Sequence, residues 1–193
     1  MIIVGITGTP GSGKTEFATY LTKKGFAHLS ARAFLIREAS KIHTDLTRER
    51  LLSVANKLRK EHSPSYVIES LFKEAQELSR TKGKNCILES IRTPGEVDYL
   101  KSESKKNQDS TFFLVAIDAD REIRYKRIKA RNSETDHVSL ERFIEDETKE
   151  MQAKEPHEAN ISECIRRADH TIVNNGTIED LHHKIELFLK RVA

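Results

Sequence analysis

The sequence predicts a single-domain α/β fold of three layers (α/β/α), in which a five-stranded parallel sheet lies between layers of helices. Five apolar runs have the length of buried strands, and segments with apolar residues at helical spacing separate them. This alternation is typical of doubly wound parallel sheets. A length of 193 residues suits one sizeable hydrophobic core and is short for two. We therefore assign residues 1–193 to one domain.

The predicted strands are the short apolar runs expected of a buried parallel sheet. In chain order they are Ile2–Thr7, Phe26–Ser30, Asn85–Glu89, Phe112–Asp118 and Thr171–Asn174. The first run leads directly into a glycine-rich segment. After that segment, Phe17, Ala18 and Leu21 have helical spacing and predict the first helix.

The glycine-rich segment, residues 8–15, has the pattern G-x-x-x-x-G-K-[ST]. In such a P-loop, backbone N–H groups converge on phosphate oxygens, the lysine reaches the β- and γ-phosphates, and the final hydroxyl can ligate Mg²⁺. The helix that follows points the positive end of its dipole at the same phosphates. The motif therefore predicts that a nucleoside triphosphate and Mg²⁺ bind here; we expect ATP, although the motif does not distinguish it from GTP. The predicted phosphate-binding residues are Gly8, Thr9, Pro10, Gly11, Ser12, Gly13, Lys14 and Thr15.

A helical insertion, at about residues 31–80, is predicted between the second and third strands. Its apolar residues recur at three- and four-residue spacing, with a break at Ser63 and Pro64. They are Leu51, Leu52, Ala55 and Leu58, followed by Val67, Leu71, Phe72, Ala75 and Leu78.

Two further helix starts have clear local signals. Thr93 can cap a helix, Pro94 suits its first position and Glu96 completes a capping box.

The polar stretch Lys101–Ser110 is predicted to be a surface loop. The last helix is predicted to begin at Thr177 and to bury Ile178, Leu181, Ile185 and Phe188.

Composition excludes several classes of protein. The net charge of +3 is small beside 33 basic and 30 acidic side chains, so it does not indicate a partner such as a nucleic acid polymer. No apolar stretch approaches the ~20 residues of a membrane span, and the chain enters a strand without the layout of a signal peptide. We therefore expect a soluble cytoplasmic protein with no membrane partner. Cys86 and Cys164 have no metal or disulfide pattern and are predicted to be reduced, packed thiols.

Arginine recurs where the predicted strands end. Ligands of open parallel sheets bind beyond the carboxyl ends of the strands. Arg37 follows the second strand, Arg92 follows the third, and Arg124, Arg127 and Arg131 lie on a helix after the fourth. Since the planar guanidinium suits bidentate contacts to phosphate oxygens, the edge that holds the P-loop is predicted to carry further phosphate-binding arginines.

The chain resembles the adenylate kinase-like nucleoside monophosphate kinases over essentially its whole length. The matching segments are His28-Leu29-Ser30 with Phe34-Leu35-Ile36-Arg37, Leu88-Glu89-Ser90-Ile91-Arg92, Arg124–Arg131, Ala168-Asp169 and Asn174-Asn175-Gly176-Thr177. The third-strand segment is similar to the family's D-G-x-P-R or D-G-x-R, with Glu89 in place of aspartate. Residues 91–96 look like a branch that includes domains fused to deoxycytidylate deaminases, and dephospho-coenzyme A kinase is a more distant resemblance.

This resemblance implies a role for each matching residue. Ser30, Arg37 and Arg92 would bind the acceptor, and Thr15 and Glu89 would position Mg²⁺. Asn175 and Gly176 would lie beside the adenine of ATP. Lys14, Arg92, Arg127 and Arg131 would stabilise the transferring phosphoryl group, and a short lid would cover about residues 131–140.

The function predicted is ATP-dependent phosphoryl transfer to a small phosphorylated acceptor, a nucleoside or deoxynucleoside monophosphate. Such an acceptor is already an anionic nucleophile and needs no general base, whereas a hydroxyl acceptor would want a nearby carboxylate. The residues after the second strand, Ser30 to Ala33, include none. This argues against the hydroxyl phosphorylation of dephospho-coenzyme A kinase. Two alternatives stay open: an ATP-binding regulatory or assembly factor with slow ATPase activity, and hydroxyl phosphorylation like that of dephospho-coenzyme A kinase. A protein partner is not predicted either way.

Overall fold

Five parallel strands form one sheet in the order β2-β3-β1-β4-β5. The computed structural model describes residues 1–107, 109–131, 139–152 and 155–192, without the side chains of Arg48 and Arg131. The strands are β1 (Ile2–Gly8), β2 (Ala27–Ser30), β3 (Cys86–Glu89), β4 (Thr111–Asp118) and β5 (His170–Val173). The predicted α/β fold with a five-stranded parallel sheet is therefore confirmed.

Nine helices are present in the described ranges. They are α1 (Lys14–Lys23), α2 (Ala31–Ala39), α3 (Arg48–Glu61), α4 (Tyr66–Lys82), α5 (Pro94–Lys106), α6 (Arg121–Arg131), α7 (Leu140–Met151), α8 (Ile161–Arg166) and α9 (Ile178–Val192). The helical insertion consists of α2, α3 and α4. Helix α3 ends before Ser63 and Pro64, and α4 begins after them, as predicted.

Separate hydrophobic clusters cover the two faces of the sheet. On one face, Phe17 and Leu21 of α1 pack with Leu181 and Phe188 of α9. On the other face, residues of α4, α5 and α8 pack against β1, β3 and β4. Because β1 lies between β3 and β4, the segment that follows it emerges at the middle of the carboxyl edge. The fold thus places the glycine-rich loop at the centre of this edge.

Local capping determines where two of these helices begin. The Thr93 hydroxyl accepts a hydrogen bond from the Glu96 N–H at 3.2 Å, and Glu96 Oε2 accepts one from the Thr93 N–H at 3.2 Å. This is the predicted capping box of α5. The Ser30 side chain accepts from the Ala33 N–H and caps α2.

Two predictions about helices were wrong. Lys101–Ser110 is not a loop over its whole length, because α5 continues to Lys106. Leu100 of this helix is fully buried, and Lys106 pairs with Glu103 at 2.7 Å on its solvated face. A helix that is mostly solvated has the composition of a loop, which explains the error. Ile178 was predicted to be buried, but it is 57% exposed at the first turn of α9.

Both cysteines are buried free thiols. Burial raises the pKa of Cys86 to about 11 and that of Cys164 to about 12, so both stay protonated at neutral pH. In the described part of the chain, no helix combines the length and the apolar character needed to cross a bilayer.

Candidate active site

The loop between β1 and α1 needs glycine at specific positions. Gly8, Gly11 and Gly13 have φ angles of 133°, 77° and 105°, which L side chains rarely adopt. A Cβ at Gly8 would lie 1.9 Å from the carbonyl oxygen of Ile117, and one at Gly13 would lie 2.5 Å from Nδ2 of Asn174. The backbone can therefore form this tight cradle only without side chains there, as the P-loop motif requires.

Lys14 lies folded over this loop. Its Nζ donates hydrogen bonds to the carbonyl oxygens of Gly8 at 2.8 Å and of Thr9 at 2.7 Å. Burial, followed by the positive charge of Arg92, lowers the pKa of Lys14 to about 7. An anion bound beside this amine would raise its pKa again.

Glu89 contacts both the end of the P-loop and strand β2. Its Oε1 accepts a hydrogen bond from the Thr15 hydroxyl at 3.2 Å, and its Oε2 lies 2.8 Å from Nε2 of His28. Burial alone would raise the pKa of Glu89, but the hydrogen bonds from His28 and Thr15 and the charge of Lys14 lower it below its usual value. The carboxylate is therefore held in its ionised form.

Thr15 and Glu89 fit the requirements of Mg²⁺. This ion prefers oxygen ligands, keeps several waters and is commonly held by one or two protein groups together with phosphates. Within the described residues there is no group of three or more His, Cys, Asp and Glu side chains that could hold a metal by itself. A hydroxyl and an ionised carboxylate beside a phosphate cradle are the donor set expected of a nucleotide-bound magnesium.

A cavity of about 640 Å³ extends from the P-loop to the helical insertion. Its basic lining residues are Lys14, Arg32, Arg59, Arg92 and Arg127, and its acidic ones are Glu89, Asp146, Glu147 and Glu150. Apolar side chains form much of the rest of the wall, among them Leu35, Leu51, Leu52, Ala55, Ile128, Phe143 and Ile161. The cavity thus combines a phosphate cradle with an apolar surface and a second group of arginines.

Arg92 reaches the cavity from the turn after β3. Its backbone N–H donates to Glu96 Oε2 at 2.8 Å, so the capping residue of α5 also fixes this turn. The Arg92 side chain donates from Nη1 to Glu150 Oε2 of α7 at 2.8 Å. Glu96 is in turn paired with the buried Arg59, whose Nη2 lies 2.8 Å from Glu96 Oε1.

Helix α6 contributes arginines on the other side of the P-loop. Arg127 donates to the carbonyl oxygens of Asn174 at 2.8 Å and of Gly176 at 3.0 Å, which holds the β5–α9 connection against α6. Arg124 is buried, donates to the carbonyl oxygen of Pro10 at 3.3 Å and pairs with Glu147 of α7.

Most of the predicted site residues line one cavity. They are Gly8, Pro10, Gly11, Gly13, Lys14, Thr15, Ser30, Glu89, Arg92 and Arg127. Thr9 and Ser12 also belong to the P-loop, but they are buried and do not line the cavity. The Thr9 hydroxyl donates a hydrogen bond to Asp118 at 2.7 Å. The Arg131 side chain and residues 132–138 of the predicted lid lie outside the described residues.

The other predicted residues do not line this cavity. Arg37 lies near the end of α2, where its Nη2 is 3.4 Å from Glu74 of α4 and its guanidinium stacks on Phe34. Asn175 accepts a hydrogen bond from the backbone of Asp120, next to Gly176 in the β5–α9 connection. These residues are therefore engaged elsewhere and do not line the cavity.

Sequence reasoning missed several lining residues. Arg32 faces the cavity from the first turn of α2, and it makes no hydrogen bond or ion pair with any described residue. Glu147 and Glu150 come from α7, for which no role was predicted. The one available signal was the spacing of Phe143, Glu147 and Glu150, which places them on one face of a helix.

A protein-family model described as an AAA domain matches residues 4–153. Among curated relatives, a UPF0200 protein from Thermococcus onnurineus is 28% identical over 192 residues, covering 100% of this chain and 98% of that protein. A UPF0200 protein from Methanococcus maripaludis is 29% identical over 196 residues, with 100% and 98% coverage.

Solved structures share the fold. TT1252 from Thermus thermophilus has a TM-score of 0.61 at 22% identity, covering 100% of this chain and 98% of that one. The shikimate kinase from Acinetobacter baumannii, solved with shikimate, has a TM-score of 0.55 at 19% identity, covering 98% and 93%. At these identities the likeness is one of fold, and it is the fold of P-loop kinases. The family match over residues 4–153 shows that the chain belongs to the AAA domain family.

Proposed function

We propose that this protein transfers the γ-phosphoryl group of ATP to a small phosphorylated acceptor, a nucleoside or deoxynucleoside monophosphate. The observation that carries the proposal is that Lys14 of the P-loop and Arg92 line the same cavity. They are close enough for the charge of Arg92 to contribute, after burial, to the lowered pKa of Lys14. Two phosphate-binding cations at this proximity suit a donor and an acceptor held for in-line transfer.

The donor would bind at the P-loop. Backbone N–H groups of residues 8–15 would bind its phosphates, and Lys14 would turn from the carbonyl oxygens of Gly8 and Thr9 towards them. Thr15 and Glu89 would hold Mg²⁺, which neutralises charge on the transferring phosphates when bound. Arg127 would add positive charge from α6, where its contacts to the β5–α9 connection already fix its direction.

The acceptor would bind between β3 and the helical insertion. Arg92 would hold its phosphate, with Ser30 and Arg32 beside it. The apolar wall formed by Leu35, Leu51 and the other aliphatic lining residues suits the faces of a nucleobase. Arg37 would reach this ligand only by leaving Glu74, and Arg131 remains a predicted contributor from α6.

A hydroxyl acceptor is less well supported. Transfer to a hydroxyl calls for a carboxylate that is free to take its proton. Glu89 is held by Thr15 and His28, Glu147 and Glu150 are paired with arginines, and Asp146 is paired with Arg142 at 3.2 Å. The oxygens of a monophosphate are anionic and need no such base, so the cavity fits this acceptor better.

The test is a screen of acceptors with the purified protein and MgATP. Each nucleoside and deoxynucleoside 5′-monophosphate and dephospho-coenzyme A would be incubated separately, and products resolved by anion-exchange chromatography. The proposal expects one nucleoside diphosphate for each ADP formed from ATP, which for AMP as acceptor means two ADP for each ATP consumed. ATP hydrolysis that is independent of every acceptor would instead indicate a regulatory or assembly ATPase. Turnover with dephospho-coenzyme A alone would indicate hydroxyl phosphorylation.

A further inference from the structure

Ser90 has an unusual backbone conformation for its residue type. Its φ is 75°, and within the described ranges it is the one non-glycine residue with a positive φ. The other positive-φ positions, such as Gly8 and Gly83, are glycines. A Cβ in this region clashes with the backbone, so serine is strained where glycine would be relaxed.

The fold requires this conformation. The carbonyl oxygen of Ile6 accepts hydrogen bonds from both the Ser90 N–H at 3.1 Å and the Ile91 N–H at 2.9 Å. The resulting turn places Ile91 in the core, where it is 1% exposed, and returns Arg92 to the cavity. Any residue at position 90 must therefore adopt the positive φ.

The hydroxyl of Ser90 has no structural role in the described part of the chain. Ser30 and Thr93, the neighbouring hydroxyl residues at this edge, each cap a helix. Oγ of Ser90 makes no hydrogen bond to any described residue, and Ser90 lines the cavity between Glu89 and Arg92. A strained side chain without an internal partner at a ligand cavity points to a role in binding.

We propose that Ser90 is a binding residue whose Oγ–H donates a hydrogen bond to an anionic oxygen of the phosphate held by Arg92. This inference rests on the proposed function and identifies a further contact of the acceptor. The hydroxyl is an uncharged hydrogen-bond donor. It would orient the phosphate that the charge of Arg92 attracts, and it would not repel Arg92. Loss of one hydrogen bond to a charged group weakens binding about tenfold or more.

Two substitutions separate the strain from the hydroxyl. Ser90→Ala keeps the Cβ and removes the hydroxyl, whereas Ser90→Gly removes both. Ser90→Gly should raise the Tm by about 2 °C, since relief of the strained φ exceeds the added entropy of an unfolded glycine. Both variants should raise the acceptor KM about tenfold and leave the KM for MgATP unchanged. Ser102→Ala, at an exposed position on α5, is the matched control.

A binding measurement separates this inference from the proposed function. The protein would be saturated with a non-hydrolysable MgATP analogue to fill the P-loop, then titrated with inorganic phosphate. We expect the Kd for phosphate to rise about tenfold in both Ser90 variants. If the Kd for phosphate rises in this way but the protein phosphorylates no acceptor, the Ser90 site is retained and the proposed kinase activity is rejected. If the Kd for phosphate and the acceptor KM are unchanged in both variants, the Ser90 site is rejected. If the Tm of Ser90→Gly is unchanged or lower, Ser90 is not strained and the observation behind the site is wrong.

Discussion

Arg92 is paired with Glu150: its Nη1 donates to Oε2 of that carboxylate at 2.8 Å. The arginine proposed to hold the acceptor phosphate thus already contacts an anion contributed by α7. Glu150 is 9% exposed and lines the same cavity, so an incoming phosphate would meet a like charge. Glu150 of helix α7 would therefore compete with the acceptor phosphate for Arg92.

Removing this negative charge should tighten acceptor binding. In Glu150→Gln the amide oxygen can still accept a hydrogen bond from Arg92, but the repulsion of phosphate is gone. We expect the acceptor KM to fall about tenfold, because a like charge at this range costs more than a kilocalorie per mole. Steady-state kinetics would measure it, with Glu145→Gln on the exposed side of α7 as the control. A higher KM in Glu150→Gln would mean that the carboxylate orients Arg92 and does not compete.

ATP binding should take up a proton above neutral pH. Burial and the charge of Arg92 lower the pKa of Lys14 to about 7, so at about pH 8 the free protein carries this amine mostly uncharged. A triphosphate favours the charged form and raises that pKa, so binding takes up a proton at about pH 8 and much less at about pH 6. Calorimetry in buffers of different ionisation enthalpy measures the uptake.

The control for this linkage is Lys14→Met, which cannot titrate. It should bind ATP more weakly and without the uptake at about pH 8. Uptake of the same size in Lys14→Met would assign the proton to another group.

The parts of the structure that local sequence determines were predicted well. The strands, the P-loop and the capping box at Thr93 each depend on residues close together in the chain. Six of the eight P-loop residues predicted from the motif line the cavity for the same reason, whereas Thr9 and Ser12 are buried. The sequence-based prediction ended α5 too early, because the second half of this helix is solvated and has the composition of a loop.

What sequence could not supply was the direction of side chains that depend on distant partners. Arg37 is directed away from the cavity by Glu74, 37 positions along the chain, while Arg32 faces the cavity. Glu150 meets Arg92 across 58 positions, and no periodicity reports such a contact. The positive φ of Ser90 was likewise not predicted, because serine itself does not indicate one.

Removing one partner of the buried pair of Arg59 and Glu96 should strongly destabilise the protein. Their side chains are 3% and 1% exposed, and Glu96 also accepts hydrogen bonds from the backbone of Arg92 and Thr93. Arg59→Met leaves a buried carboxylate without its counter-charge and should lower the free energy of unfolding by about 3 kcal/mol. Urea denaturation measures this loss. Arg80→Met, which removes an exposed pair with Glu77, should leave stability nearly unchanged, and equal losses would contradict the account.

His28 should influence Mg²⁺ through Glu89. Its Nε2 lies 2.8 Å from Glu89 Oε2, while the other oxygen contacts Thr15. His28→Ala frees the carboxylate to turn, and loss of such an orienting group weakens metal binding about tenfold. The Mg²⁺ concentration that half-saturates ATP binding, measured by titration calorimetry, should rise accordingly. His183→Ala, at an exposed site on α9, should leave it unchanged, and no difference between the two variants would reject the role of His28.

The central claim is that one cavity joins an ATP site at Lys14 to an acceptor-phosphate site at Arg92. The most direct test is kinetics of Arg92→Ala beside Arg80→Ala, with the monophosphate that the screen identifies. We predict that Arg92→Ala lowers kcat/KM for the acceptor about a hundredfold and leaves the Kd for MgATP within about twofold, because a charge-assisted contact to phosphate is lost on one side only. Unchanged acceptor kinetics, or an equal loss of MgATP binding, would contradict the claim.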